Sequence, residues 1–277
     1  MIQDFIITFR ETLEIALIVG IILGYLARTG QAKYNKTVYI GIISAVIASI
    51  IGAILFVALA GGFEGRAEQI FEGITMLVGA LLLTTMILWM MKQKHIAKEL
   101  EQKVKVEISE AHKFGLFLIV FVSVLREGIE TVIFLGAASF LAADRNFIWA
   151  LGGIIAAIFL GYLIFLGSMR INIKTFFNIT SILLILFAAG LVASSSHEFE
   201  EAGIINPVIE HVWDINPSVN PDGSFPLLHE KGYIGSILKG LVGYDGNPSL
   251  MMMMSWLVYI LIVFGLWKNI ERVHEVI

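Results

Sequence analysis

Long apolar stretches separated by short polar segments make up most of this 277-residue chain. A helix needs about 20 largely apolar residues to cross the hydrocarbon core of a bilayer. Seven stretches of about that length cover residues 2–27, 38–60, 69–91, 114–141, 147–169, 175–194 and 250–268. Because stretches of this length satisfy their backbone groups in lipid as helices, the pattern predicts an all-α polytopic membrane protein with seven transmembrane helices.

The composition agrees with a chain that lies mostly in lipid. Hydrophobic residues make up 57% of it, charged residues make up 15%, and the mean hydropathy is +0.84. We therefore expect a multi-pass protein of the cell membrane, in contact with the lipid bilayer and without a nucleic-acid partner. The chain has no cysteine, which excludes disulfides and thiolate metal ligands.

Lysine and arginine are unequally divided between the two predicted faces of the membrane. With the N-terminus outside, thirteen of the nineteen fall in cytoplasmic segments and four in outer segments, while Arg10 and Arg126 lie within spans. The positive-inside rule thus predicts an outer N-terminus and a cytoplasmic C-terminus. We expect the first span to remain in the mature protein, because nothing basic precedes it and charged residues interrupt its apolar run.

The first and the fourth predicted spans contain the same charged motif. Residues 10–14 read Arg-Glu-Thr-Leu-Glu, and residues 126–130 read Arg-Glu-Gly-Ile-Glu. An ionised side chain in the middle of a bilayer costs roughly 2.5–3.5 kcal/mol on insertion scales. Six such residues are tolerated only if they pair, face water or bind something, and such sets commonly mark a transport path.

The two motifs are related by a shift of 116 residues, which also aligns Gly20 with Gly136. Because three spans separate the start of one motif from the start of the next, the second copy crosses the bilayer in the opposite direction. This predicts two inverted three-helix repeats, residues 1–92 and 114–194, followed by a seventh helix and cytoplasmic tail at 250–277. Inverted repeats place the substrate near the bilayer midplane, and a rise of about 1.5 Å per residue puts the motif glutamates there.

Helical spacing stacks two carboxylates on one face of each motif helix, because residues three apart lie one turn apart. These carboxylates are Glu11, Glu14, Glu127 and Glu130. Arg10 and Arg126 each precede the second glutamate by four residues and can pair with it, which leaves a net charge of −2 on the six groups. All six histidines fall outside the predicted spans, so the set suits a hard cation such as iron, manganese or magnesium. The alternative is a pair of structural ion pairs that brace the helix bundle.

Acidic residues also lie outside the membrane core. Glu72 opens the third span and is either an outer relay ligand or a carboxylate favoured by a helix N-terminus. Residues 195–249 are predicted to form an extracytoplasmic acidic loop. Within it, residues 232–243 have the spacing of an amphipathic helix that lies on the membrane or over the pore mouth. Residues 93–113 are predicted to form a charged cytoplasmic connector.

Over the whole chain, the motifs resemble those of the oxidase-dependent iron transporters, the high-affinity iron permeases. That family carries Arg-Glu-x-x-Glu in the first and fourth of seven helices and Glu-x-x-Glu in the outer loop before the seventh, where this chain has Glu198 and Glu201. The resemblance implies import of iron, as Fe3+ or Fe2+, with the motif glutamates as translocation ligands and Glu198 and Glu201 as outer ligands. It also implies an extracytoplasmic oxidase or iron-delivery protein as a partner. The chain has no copper or haem motif of its own, so we expect a permease without a cofactor and not an enzyme.

Three other functions fit parts of the pattern. A transporter of another divalent cation, such as lead, manganese or magnesium, would use the same carboxylates. An intramembrane metalloenzyme is disfavoured, because no histidine ligand or nucleophile lies near the motifs. A membrane metal sensor is disfavoured because the longest predicted inner segment, residues 93–113, is too short for an output domain.

Overall fold

The computed structural model describes residues 2–92, 102, 104–106, 113–141, 147–165 and 173–275. Within those ranges the regular elements are helical, as the hydropathy pattern predicts. In chain order the α-helices are α1 (Ile2–Arg28), α2 (Asn35–Ala60), α3 (Arg66–Lys92), α4 (Lys113–Leu141), α5 (Phe147–Phe165), α6 (Ile173–Glu201), α7 (Tyr233–Val242) and α8 (Leu250–Glu275). A 3-10 turn, Ala32–Tyr34, joins α1 to α2. Most of the predicted connector at 93–113 lies outside the described residues.

Five of these helices, α2, α3, α5, α6 and α8, contain stretches long and apolar enough to cross a membrane. The motif helices α1 and α4 have 27 and 29 residues. In α2, large apolar side chains including Ile43, Ile47 and Ile54 are more than half exposed. An apolar helix that exposes such side chains is typical of a membrane span. The chain is a multi-pass membrane protein.

The two motif helices contact each other, and each also packs on a helix from the other half of the chain. α1 packs mainly on α5, α2 on α4, and α3 on α6. One hydrophobic core joins α3, α4 and α6, with Leu83 and Phe187 buried in it. A second core joins α1, α2 and α4, with Ile22 and Val38 buried in it. Because α4 contributes to both cores, the second motif lies between them.

A glycine on each motif helix makes room for an aromatic ring from the neighbouring helix. A Cβ at Gly20 of α1 would collide with the ring of Phe165 of α5. A Cβ at Gly136 of α4 would collide with the ring of Phe56 of α2. Each glycine lies ten residues after the arginine of its motif. The α1–α5 and α4–α2 pairs therefore contain the same kind of contact at the same position.

α6 extends beyond the span predicted from hydropathy. The apolar run ends near residue 194 and predicts a loop from residue 195, but the helix continues to Glu201. It stops just before Gly203, whose φ of 65° is the left-handed conformation that commonly ends helices. Hydropathy marks the apolar part of a helix, whereas a polar turn can stay helical outside the lipid. Glu198 and Glu201 thus lie on the last turn of a helix rather than in an irregular loop.

The amphipathic helix predicted at residues 232–243 is confirmed as α7. It packs on α6 and also contacts α1 and α4. Trp256 of α8 donates its indole N–H to the carbonyl of Val242 at 2.9 Å, and Gly240 lies against the side chain of Gln3 near the start of α1. Of the two predicted placements, these contacts favour a cover over one end of the helix bundle.

Candidate functional site

In α1, Arg10 pairs with both glutamates of its own motif. Its Nη1 lies 3.2 Å from Oε1 of Glu11, and its Nη2 lies 3.2 Å from Oε1 of Glu14. The spacing of four residues puts Arg10 and Glu14 on one helix face. The Arg10 side chain is completely buried, that of Glu11 is nearly so, and that of Glu14 is 11% exposed. Buried charges such as these stabilise one another, because a buried charge without a partner would carry its full desolvation cost.

In α4, Arg126 makes the matching pair of contacts. Its guanidinium donates to Oε1 of Glu127 through Nε, at 3.0 Å, and through Nη2. The same Nε lies 3.5 Å from Oε1 of Glu130. Glu127 is completely buried, whereas the Arg126 side chain is 48% exposed. The second motif therefore repeats the pairing of the first in a more open setting.

The carboxylates of the two motifs meet across the α1–α4 contact. One oxygen from each of Glu11, Glu14 and Glu127 lies within 4.8 Å of the other two. Glu130 lies outside this set of three, although its charge acts on Glu14. Oε2 atoms of Glu11, Glu127 and Glu130 are buried and accept no hydrogen bond from the described residues. The cluster therefore offers unused carboxylate oxygens, the ligands that hard cations prefer.

Close packing at the second motif depends on its central glycine. A Cβ at Gly128 would collide with Oγ of Ser49 on α2, and that hydroxyl donates to the carbonyl of Ala45 at 2.9 Å. On the next turn, Thr131 donates its hydroxyl to the carbonyl of Glu127 at 2.7 Å. Contact with α2 thus fixes the backbone that carries Glu127 and Glu130.

Three residues of α3 that the sequence motifs do not single out contact the arginines. Arg10 donates through Nη1 to Sδ of Met86 at 3.1 Å and through Nη2 to Sδ of Met90 at 2.9 Å. The guanidinium carbon of Arg126 lies 5.5 Å from the ring centre of Trp89. In the sequence these residues are part of an ordinary apolar span, so no local signal distinguishes them from lipid-facing or core positions.

Glu201 is held between the ends of α3 and α6. Its Oε2 accepts a hydrogen bond from Nε2 of Gln69 at 3.0 Å, and its Oε1 lies 3.2 Å from Nε2 of His197. His197, expected beyond the sixth span, stands on α6. The adjacent Glu200 accepts a hydrogen bond from Oγ of Ser249 at 2.6 Å and so connects α6 to the start of α8.

Glu198 lies among the other acids predicted to be on the outer side. The negative charges of Glu72, Glu201 and Glu68 all act on its carboxylate. The structure therefore brings the three predicted outer residues, Glu72, Glu198 and Glu201, into one acidic region. Glu72 lies on the second turn of α3, beyond the first turn, where a helix N-terminus stabilises a carboxylate most.

A cavity of about 390 Å³ opens among α1 to α5 beside these acids. Asp4, Glu68 and Glu72 provide its acidic lining, and Phe56 and Gly136 form part of its apolar wall. Asp4 belongs to neither motif. Its only signal in the sequence is its position seven residues before Glu11, which places the two carboxylates on one helix face two turns apart.

Buried, paired ionisable groups between the helices of a multi-pass protein typically mark a substrate or ion pathway. The chain is a membrane permease and not an enzyme. It belongs to the iron permease FTR1 family, whose model matches residues 1–274. The family resemblance carried by the two motifs is thereby confirmed.

Relatives of similar length match almost the whole chain. A protein from Archaeoglobus fulgidus is 35% identical over 280 residues, which cover 99% of this chain and 98% of the relative. The ferrous iron permease EfeU of Escherichia coli O6:H1 is 32% identical, with 94% of this chain and 93% of the relative covered. EfeU of Yersinia pestis is 31% identical, with 94% and 91% covered. No solved structure matches the chain.

Proposed function

We propose that this chain imports iron across the cell membrane through the carboxylates of its two motifs. The observation that carries the proposal is the meeting of Glu11, Glu14 and Glu127 within 4.8 Å across two helices. Their unused oxygens can replace the water around a hard cation, and Glu130 adds a fourth carboxylate from the second motif. The two motif arginines prevent the cluster from holding four unpaired anions before a cation binds.

The relatives favour the ferrous ion as the substrate, because those from E. coli and Y. pestis are named ferrous iron permeases. Carboxylate oxygens alone accept either oxidation state. Iron is the cargo, and the permease works without a cofactor of its own. An extracytoplasmic oxidase or iron-delivery protein, implied by the oxidase-dependent transporters that the motifs resemble, supplies the ion.

We further propose that α1 to α6 and α8 cross the membrane, with α1 to α3 and α4 to α6 as inverted repeats. The pairing of helices supports this arrangement, because α1 packs on α5 as α4 packs on α2, while α3 packs on α6. The contacts of Gly20 with Phe165 and of Gly136 with Phe56 are equivalent under the same exchange. A pseudo-two-fold axis in the membrane plane would produce such reciprocal pairs.

The acidic region at the ends of α3 and α6 gathers cations for this site. Glu198 and Glu201 attract the ion by electrostatic focusing, and Glu72 and Asp4 line the neighbouring cavity. The N-terminus of α1 then faces the outside, and the C-terminus of α8 faces the cytoplasm. A relative shift of the two repeats releases the ion on the inner side.

Uptake of radiolabelled iron into proteoliposomes tests the proposal. Glu14→Gln and Glu130→Gln each remove a negative ligand, so both variants should lose at least about tenfold in uptake at low iron concentration. Glu210→Gln is the matched control, because Glu210 is exposed in the outer loop, and it should transport normally.

Either of two results would change the assignment. Normal uptake by both motif variants would make the motifs structural ion pairs. Equal competition by manganese, magnesium or lead would make the chain a general divalent cation transporter. Running each experiment with Fe2+ and with Fe3+ identifies the transported oxidation state.

A further inference from the structure

The C-terminal part of α3 contacts both motif arginines. Met86 and Met90 accept hydrogen bonds from the two terminal nitrogens of Arg10, at 3.1 and 2.9 Å. The ring of Trp89 lies 5.5 Å from the guanidinium carbon of Arg126. All three contacts come from five consecutive positions of one helix, within a stretch that has no charged residue from 73 to 91.

Met86, Met90 and Trp89 are uncharged, and this determines how they interact with the arginines. A thioether sulfur is a weak acceptor, and an indole ring attracts a cation through its negative face. Neither group cancels the arginine charge. A carboxylate in their place would form a permanent ion pair, whereas an aliphatic side chain would leave the fully buried Arg10 dependent on Glu11 and Glu14 alone.

We propose that Met86, Met90 and Trp89 are positioning residues that hold the motif arginines while the glutamates bind the ion. The inference rests on the proposed function, in which the motif glutamates are the ligands. When a cation enters, each carboxylate exchanges its arginine for the ion. An arginine that keeps its sulfur or indole contact loses less in this exchange, and it stays in place to re-form the pair when the ion leaves.

Arg10 depends on its contacts with α3 more than Arg126 does. Arg10 is completely buried between two sulfurs and two carboxylates, so protein groups must supply its contacts. Arg126 is 48% exposed and lies over one indole ring, so it has fewer protein contacts of this kind than Arg10. The methionine pair therefore contributes more to ion affinity than Trp89 does.

Transport kinetics of α3 variants in proteoliposomes test the inference. The double variant Met86→Leu, Met90→Leu keeps the apolar volume but removes both acceptors, so the KM for iron should rise about tenfold while the maximal rate changes less than about twofold. The double variant Met86→Gln, Met90→Gln restores an acceptor at the same reach and should return the KM towards its original value. Met76→Leu is the control, because Met76 is buried on the same helix ten residues before Met86 and should leave both constants unchanged.

The outcomes separate this inference from the function on which it rests. An unchanged KM in the double leucine variant, with Glu14→Gln still inactive, overturns the role of α3 and leaves the permeation site intact. An equal loss of maximal rate in all α3 variants, including Met76→Leu, also overturns it by showing a packing effect. Normal transport by Glu14→Gln overturns the proposed function and this inference together.

Discussion

The motif of α1 shows how a charged group can persist where water is excluded. Arg10 has two carboxylate and two thioether partners, while its Nε has no hydrogen-bond acceptor among the described residues. Removing one member of a buried ion pair leaves its partner charged and unsolvated, which costs about 3–5 kcal/mol. Arg126 stands in the same position of its motif but is half exposed, so the same change there costs less.

This difference predicts unequal stability losses for the two arginines. Arg10→Gln should lower the free energy of unfolding by about 3–5 kcal/mol, because Glu11 and Glu14 lose their positive partner. Arg126→Gln should lower it by a smaller amount, because the 48% exposed Arg126 has fewer buried contacts to lose than Arg10. Thermal unfolding in detergent micelles measures both. A larger loss in Arg126→Gln would contradict the burial argument.

The central glycine of the second motif gives a second prediction at this scale. Gly128→Ala places a methyl group against Ser49, so we expect a loss of about 1–3 kcal/mol in stability and reduced iron uptake. Ser49→Gly removes both atoms that the methyl group would meet, and the double variant should recover uptake. Stability and uptake of the two single variants and the double variant form one double-mutant cycle. Independent, additive losses would show that the two positions do not pack on each other.

Hydropathy predicts which stretches form long helices better than it predicts where those helices end. Apolar runs predict the long helices α1 to α6 and α8, because each span must satisfy its backbone groups within itself. They place the end of α6 near residue 194, whereas the helix ends at Glu201. The glycine two residues later is the signal that fits the true end, since Gly203 adopts a positive φ.

The sequence predicts only the part of the candidate site that depends on residue spacing within one helix. Three-residue spacing within each motif predicts stacked carboxylates, and Glu11 and Glu14 lie together on α1 as expected. The approach of Glu127 from α4 depends on how two distant helices pack, which an in-plane repeat suggests but no local spacing determines. The contacts of Met86 and Trp89 with the arginines were not predictable, because apolar residues in a span have the same pattern whether they face lipid, core or a guanidinium.

On the scale of the molecule, the two halves of the chain are interleaved rather than side by side. α1 and α2 from the first half pack on α5 and α4 from the second, so neither half buries its motif helix alone. The proposed movement of one half against the other would have to change these shared contacts, including those of Gly136 with Phe56 and of Gly20 with Phe165. The carboxylate cluster lies at the α1–α4 contact, where such movement changes the distances between its ligands.

The orientation of the whole molecule can be tested with single cysteines, because the chain has none of its own. Glu64 lies between α2 and α3, Ser224 lies between α6 and α7, and Lys33 lies between α1 and α2, all in exposed positions. With the N-terminus outside, a membrane-impermeant maleimide should label Glu64→Cys and Ser224→Cys in intact cells, and Lys33→Cys only after permeabilisation. Iron uptake by each variant serves as the control for correct folding. Labelling of Lys33→Cys alone in intact cells would reverse the orientation, and opposite labelling of Glu64→Cys and Ser224→Cys would contradict an even number of crossings between them.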